Sequence, residues 1–247
     1  MNRLGIVAAL VGESRPLGPA TRRGAEPATL ADGTLLVVSG IGPAAAAEGA
    51  RRLVAAGARA LLSWGLAGGL DPSLEAGTLL LPREVISPEG RVFLTSADWR
   101  DRVSDILPAT RHGPCCGKLL TCREPLASTA AKALAFRQTG AVAVDMESSA
   151  VAEVASAERV PFLVVRAIVD TAQDAVPAVA LNAAATGQNG PQFARLLATL
   201  ASRPGELPAL IRLARRYRTA SHALSTVAGS GALARALSRE LAGGAAP

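Results

Sequence analysis

An α/β protein built around a largely parallel sheet is the fold class this sequence predicts, and three observations predict it. Short apolar runs recur along the chain, most of them lack strict alternation, and helical patterns sit between several of them. Runs without alternation mark strands buried on both faces. Strands that alternate with helices build a parallel sheet.

The elements follow in order. The runs "LGIVAAL" (4–10), "TLLVVSG" (34–40), "ALLSWG" (60–65), "GTLLLP" (77–82), "GKLLT" (117–121), "GAVAVDM" (140–146) and "PFLVVRAIV" (161–169) read as strands. "PAAAAEGARRLVAAGA" (43–58) and "SSAVAEVASAERV" (148–160) read as helices. The opening "MNRLGIVAALVGES" has a basic residue and a short apolar stretch, but Glu13 follows at once and no small-residue cleavage site is evident, so it reads as the first buried strand. After "SRPG" (202–205) the character changes. Leu210, Leu213, Ala214, Tyr217 and Leu224 fall on one helical face, with Arg212, Arg215, Arg216 and Arg218 mostly elsewhere. Residues 1–202 therefore read as the main domain, and 203–247 as a basic helical extension packed on or beside it.

Composition narrows the function. Of 247 residues, 49% are apolar and 3% aromatic, enough for a large core filled with small side chains. The net charge is +6, yet residues 203–247 hold seven arginines against Glu206 and Glu240, a surplus of five. The basic character belongs to the extension. With so few aromatics for base stacking, a nucleic-acid partner is disfavoured. Arginines in water are the simplest reading of that helix, and a peripheral membrane contact is the sharper one. No apolar run is long enough to span a bilayer. Three cysteines, an odd number, fit a reducing cytoplasm better than a disulfide framework.

Several familiar chemistries lack their parts. "SGIGPAA" (39–45) has GxGxxA spacing, but no acidic residue follows where a dinucleotide site needs one. A tight strand-to-helix turn facing a ligand is the better reading. No GxSxG is present, and neither His112 nor His222 has a companion motif for a serine hydrolase. His112, Cys115, Cys116 and Cys122 match no standard zinc spacing. No metal or cofactor is expected.

Three acids remain. Glu13 follows the first run, Glu147 ends the sixth, and Asp170 directly follows the last. All lie at the carboxyl ends of predicted strands, where open α/β sheets place their ligands. Taken singly, each has a plain explanation as a cap, a turn or a solvated side chain. Cleavage of a purine N-glycosidic bond uses three such groups. Negative charge stabilises the oxocarbenium-like sugar, an acid protonates the departing ring, and a carboxylate activates water. Burial and neighbours can keep one acid protonated while others stay ionised.

"AVAVDMESSAVAEVA" followed by "VPFLVVRAIVD" resembles the signature of the nucleoside phosphorylase/nucleosidase superfamily, in particular methylthioadenosine/S-adenosylhomocysteine nucleosidases. "LGIVAALVGES", "VVSGIGPAAAA" and "WGLAGGLDPSLEAGTLLLP" match in the same order, so the likeness spans roughly residues 4–200. It implies a three-layer, purine nucleoside phosphorylase-like fold, with a mixed, partly barrel-like sheet flanked by helices and assembled as a dimer or larger oligomer. It also implies roles. Glu147 holds the ribose hydroxyls with Met146 packed on the sugar, Asp170 protonates adenine, and Glu13 activates water. Ile41, Ala67 and Gly68 line the sugar and base pocket, and the backbone near Leu126 meets the base edge. Asp145 more simply supports the strand-to-helix turn.

The chain also departs from that pattern. Leu66 replaces a serine that helps bind phosphate or water, Val169 replaces a serine before the catalytic aspartate, and Pro125 replaces a base-stacking aromatic. The first tilts the nucleophile toward water, with phosphate kept as the alternative co-substrate. The stretch 83–100 is short where relatives enclose the substrate's 5′ side, which implies a bulky 5′ substituent. "TGAVAVDMES", "AIVDTA" and the basic C-terminus are similar to the hopanoid-associated phosphorylase group. That likeness implies release of adenine from adenosylhopane. A small-nucleoside nucleosidase and a non-catalytic nucleoside-binding protein are the competing expectations.

Overall fold

The computed structural model describes residues 3–18, 26–107, 114–176 and 207–243. The chain opens with β1 (Arg3–Ala8) and a single turn, α1 (Val11–Ser14). A short edge strand, β2 (Ala28–Thr29), precedes β3 (Leu35–Val38), and α2 (Pro43–Ala55) returns the chain to β4 (Ala58–Gly69). Three short strands follow, β5 (Leu79–Leu80), β6 (Glu84–Ile86) and β7 (Val92–Leu94), and then α3 (Ala97–Ile106). The second half is β8 (Lys118–Thr121), α4 (Thr129–Thr139), β9 (Ala141–Asp145), α5 (Ser148–Glu158), β10 (Phe162–Asp170), and the C-terminal helices α6 (Leu207–Gly229) and α7 (Ala232–Gly243).

All seven apolar runs read as strands are strands, and both quoted helical stretches are helices. β2, β6 and β7 were not legible because two or three residues carry no periodic signal. The sheet is mixed, not largely parallel. Its strands run β2-β3-β1-β4-β9-β8-β6-β7, with β10 also on β4 and β5 on β10. β1, β3, β4 and β10 are mutually parallel, while β9 meets β4 antiparallel.

That meeting shapes the molecule. β4 pairs with β1 over Ala58–Trp64, and only beyond that stretch, at Gly68 and Gly69, does β9 take over. On its other edge β10 follows β4 as far as Gly68, where a register shift brings in Asp170. The sheet forks at the end of one long strand. A single bridge between Leu80 and Cys115 brings the two limbs toward each other. The sheet curls in this way without closing into a barrel.

Side chains alternate across β1, and the two faces belong to different cores. Leu4, Ile6 and Ala8 pack with Leu62, Trp64, Trp99 and Val165 on one side. Val7 packs with Val37, Leu53, Leu61, Val151 and Val164 on the other, beneath α2 and α5. Three layers result.

The first core includes the C-terminal helices. Ala220, Leu224 and Val227 of α6, and Ala232, Leu233, Ala236 and Leu237 of α7, are buried in it, and Trp99 Nε1 donates to the Leu233 carbonyl at 3.3 Å. The extension shares the core of the main domain. Its packed face is also displaced from the one expected. Leu224 is buried, but Ala214 and Tyr217 are exposed, and Ala220 and Val227 do the packing. Alanine contributes little to a hydropathy pattern yet lets a helix approach closely, so this face was hidden. Arg212, Arg215 and Arg218 do face water. Among the described residues, no helix is long and apolar enough to cross a membrane.

Candidate active site

The fork gathers the acids. Glu13, Glu147 and Asp170, together with Met146, Ile41, Ala67, Gly68 and Leu126, line one cavity of about 250 Å³. All eight residues singled out in the sequence meet there. Leu10, Leu66, Val144, Val169 and Val176 make much of the remaining wall apolar.

Each acid is placed by local backbone. α1 starts directly after β1, and Glu13 reaches back so that Oε2 accepts the Leu10 amide at 3.0 Å, the glutamate half of a capping box. Its Oε1 accepts the Leu66 amide of β4 at 2.9 Å, so the residue that departs from serine serves through its main chain. Gly65 makes this approach feasible. A Cβ there would stand 2.5 Å from Arg166 Nη1 and 2.7 Å from Glu13 Oε1.

Glu147 sits where β9 passes into α5. Asp145 Oδ2 accepts the Ser148 amide at 3.2 Å, and its Oδ1 accepts the Thr121 hydroxyl at 2.8 Å. Asp145 therefore supports the turn, as its position in the sequence implied. Glu147 Oε1 accepts the Gly42 amide at 2.9 Å. Gly42 has φ +98° and precedes the first turn of α2. The GxGxxA turn thus offers its amide to a side-chain carboxylate, filling a position that helix N-termini commonly give to phosphate.

Two cations that sequence reasoning missed complete the site. Arg166 is 1% exposed and runs beneath the cluster. Its Nη2 lies 2.7 Å from Asp145 Oδ2 and 3.7 Å from Glu147 Oε2, and donates to the hydroxyls of Ser63 (2.9 Å) and Ser148 (3.2 Å). Its buried Nε has no partner among the described residues. Lys132, on the first turn of α4, donates to Asp170 Oδ2. A lone charge inside an otherwise apolar strand, as in "FLVVRAIV", was the available signal for Arg166, since such a charge needs partners. Lys132 carried none, because a single lysine in a helix is usually solvated.

Burial sets the proton affinities. It lifts the Glu147 carboxyl to about 7, against the pull of Arg166 and the Gly42 amide, and the nearby charge of Asp145 adds to the rise. Burial also raises Glu13, opposed by Arg166 and the Leu66 and Leu10 amides. Asp170 is raised by burial against Lys132 and, more weakly, Arg216. The cavity wall carries Glu13, Glu124, Asp145, Glu147 and Asp170, with Lys132 the one cation among its lining residues. Such a wall suits a ligand with hydroxyl donors and developing positive charge.

A three-layer α/β protein that delivers buried carboxylates to one largely apolar cavity is the class that the fold and site define. The chain belongs to the phosphorylase superfamily, whose family model matches residues 27–202. This is an enzyme superfamily, as the sequence led one to expect. Glu147 and Asp170 fall inside the matched stretch, and Glu13 precedes it. No curated protein sequence matches the chain. Among solved structures, the 5′-methylthioadenosine/S-adenosylhomocysteine nucleosidase of Neisseria meningitidis has a similar fold, with TM-score 0.70 and 17% identity over 95% of this chain and 100% of that one. The corresponding nucleosidase of Helicobacter pylori gives TM-score 0.63 and 19% identity over 92% and 97% of the two chains. Futalosine hydrolase of Helicobacter pylori gives 0.62 and 18% over the same shares.

Proposed function

We propose that this protein releases adenine from a nucleoside with a bulky apolar 5′ substituent, adenosylhopane being the substrate that best fits the sequence likeness, and that water is the nucleophile. The observation that carries this reading is the convergence of Glu13, Glu147 and Asp170, all buried, on one cavity. The names of the fold's neighbours, methylthioadenosine/S-adenosylhomocysteine nucleosidases and futalosine hydrolase, support N-glycosidic cleavage.

In this mechanism the ionised Glu147 accepts the ribose hydroxyls, and Met146 packs against the sugar. Asp170 gives its proton to a ring nitrogen of adenine as the glycosidic bond breaks, so the bonding electrons leave with a neutralised base. Positive charge develops on the ribose, and the carboxylate wall stabilises it. Glu13 then takes a proton from water as the water oxygen bonds to the anomeric carbon. Ile41, Ala67, Gly68 and Leu126 confine the sugar and base.

Charge disfavours phosphate. Lys132 is already engaged, Arg166 is bound to carboxylates and hydroxyls, and Glu147 fills the amide at the start of α2. An incoming phosphate would meet carboxylates. The apolar residues Leu10, Leu66, Val169 and Val176 on the wall favour a greasy 5′ group. The fold's neighbours favour a second reading, a small 5′-thio nucleoside. A dimer is the assembly we infer, and Arg212, Arg215 and Arg218 provide an electrostatic approach to anionic lipid.

The test is incubation with adenosylhopane and with methylthioadenosine, each with and without phosphate, following adenine. Release from the lipid nucleoside alone supports the proposal, and release from methylthioadenosine alone supports the second reading. Release from neither marks a binding protein. Dependence on phosphate overturns water as nucleophile. Replacing Arg212, Arg215 and Arg218 by glutamate should abolish binding to anionic liposomes, and unchanged binding removes the membrane role.

A further inference from the structure

Lys132 is buried to 1% exposure in a helix whose other lining is ordinary, and every hydrogen of its ammonium is used. Nζ donates to Asp170 Oδ2, to the Thr171 carbonyl at 2.8 Å and to the Asp174 carbonyl at 2.9 Å. An ammonium has three donors and no acceptor, so three acceptors match the charged form. The turn after β10 is closed around it. Asp174 Oδ2 accepts the Thr171 amide at 2.9 Å and the Thr171 hydroxyl at 2.6 Å, and pairs with Arg216 of α6.

This arrangement serves more than packing. A buried ion pair seldom adds net stability over apolar residues of the same volume, and α4 could have closed this corner with leucine. A lysine here instead governs the one carboxyl that must first hold a proton and then give it up. We propose that Lys132 is a positioning residue for the acid: it clamps one oxygen of Asp170 and the turn that follows, leaves the other oxygen to the leaving base, and sets how firmly the carboxyl keeps its proton. This rests on the reading above that Asp170 protonates the base. Other charges surround the carboxyl. Arg216 and Asp174 lie behind the turn, Glu13, Glu147, Asp145 and Glu124 stand on other walls of the cavity, and Arg166 lies four residues earlier on the same strand. Of these, Lys132 is the one in contact with it among the described residues.

The experiment is a carbon-13 titration of the aspartate carboxyls in the full-length protein, with Asp170→Asn to assign the signal. The native protein is compared with Lys132→Met, Lys132→Gln and Lys132→Arg. Removing the charge in the first two should raise the Asp170 midpoint by about one pH unit or more, while arginine should hold it near the native value. The alkaline limb of kcat/KM for adenine release should shift in parallel. If Lys132→Met does not fold, the glutamine variant carries the same expectation. An Asp170 midpoint that stays put when the charge is removed overturns the proposal. A native protein that releases no adenine overturns the proposed function instead, because the titration needs no turnover.

Discussion

Arg166 lies 2.7 Å from Asp145 and 3.7 Å from Glu147 with all three side chains buried, so one guanidinium holds two carboxylates at the point where β9 turns into α5. Removing it would leave both without an ion-pair partner among the described residues. Arg166→Met should therefore lose about 3–5 kcal/mol of stability, the usual cost of breaking a buried pair, measured by chemical denaturation. Lysine should not restore it, since its ammonium ends one bond short of the place that Nη2 occupies and has no second nitrogen to donate to the Leu66 carbonyl as Nη1 does at 3.5 Å. A melting point within a degree of native would show that the cluster is held elsewhere.

Glu147 should make ligand binding sensitive to pH. In its proposed role ribose hydroxyls donate to its ionised form, and burial raises its carboxyl to about 7. Below that value protons compete with substrate, and KM should rise roughly tenfold for each pH unit. Glu147→Gln should have a high KM that varies little between pH 5 and 7. A native KM constant across that range would exclude the ribose role.

The same carboxyl leaves a signature in stability. Its proton affinity is higher folded than unfolded, so the fold gains fully below the unfolded value near 4.5. That gain is lost as pH rises through about 7. Over this window the native protein should lose about 3 kcal/mol relative to Glu147→Gln, read from urea midpoints at pH 4.5 and 8. Burial raises Glu13 and Asp170 in the same direction, so the native slope should keep this sign even in the variant.

Gly65 sits where a side chain has no room. Gly65→Ala puts a methyl into the space between Arg166 and Glu13, and the Glu13 carboxylate must leave the Leu66 amide. The expected result is a stability loss of about 1–3 kcal/mol with adenine release reduced at least a hundredfold. Full activity in Gly65→Ala would mean that the Glu13–Leu66 contact is dispensable.

Asp170→Asn keeps the shape and removes the proton. Adenine release should fall by about 10² or more, with far-ultraviolet circular dichroism unchanged. Its Tm should fall, because the Lys132 charge loses its partner. Near-native turnover in this variant would falsify the acid assignment.

The fold was legible where it is repetitive and hidden where it is brief. Long buried strands such as "PFLVVRAIV" declare themselves by unbroken apolarity, whereas Glu84–Ile86 and Val92–Leu94 are too short to show a period. The three acids could be singled out because each follows an apolar run, yet their convergence depends on β9 meeting β4 antiparallel at Gly68, a tertiary pairing without a local signal. Arg166 was in plain view inside a strand and needed only the question of what balanced it. Lys132 could not be found that way, because its partner lies on another element. The composition change at 202–205 pointed to a basic extension packed on or beside the main domain, and its helices bury Ala220, Leu224, Val227 and Leu237 in one core with Trp64 and Trp99.

The chain has two tryptophans, and the fold gives them different duties. Trp64 donates its indole N–H to the Glu13 carbonyl at 2.8 Å, while Trp99 donates to Leu233 in the last helix. Both are fully buried. The protein thus carries its own pair of optical probes, one beside the turn that carries Glu13 and one under the C-terminal helices. With either indole replaced by phenylalanine, the emission of the other can follow ligand arrival and tail undocking separately, without an added dye.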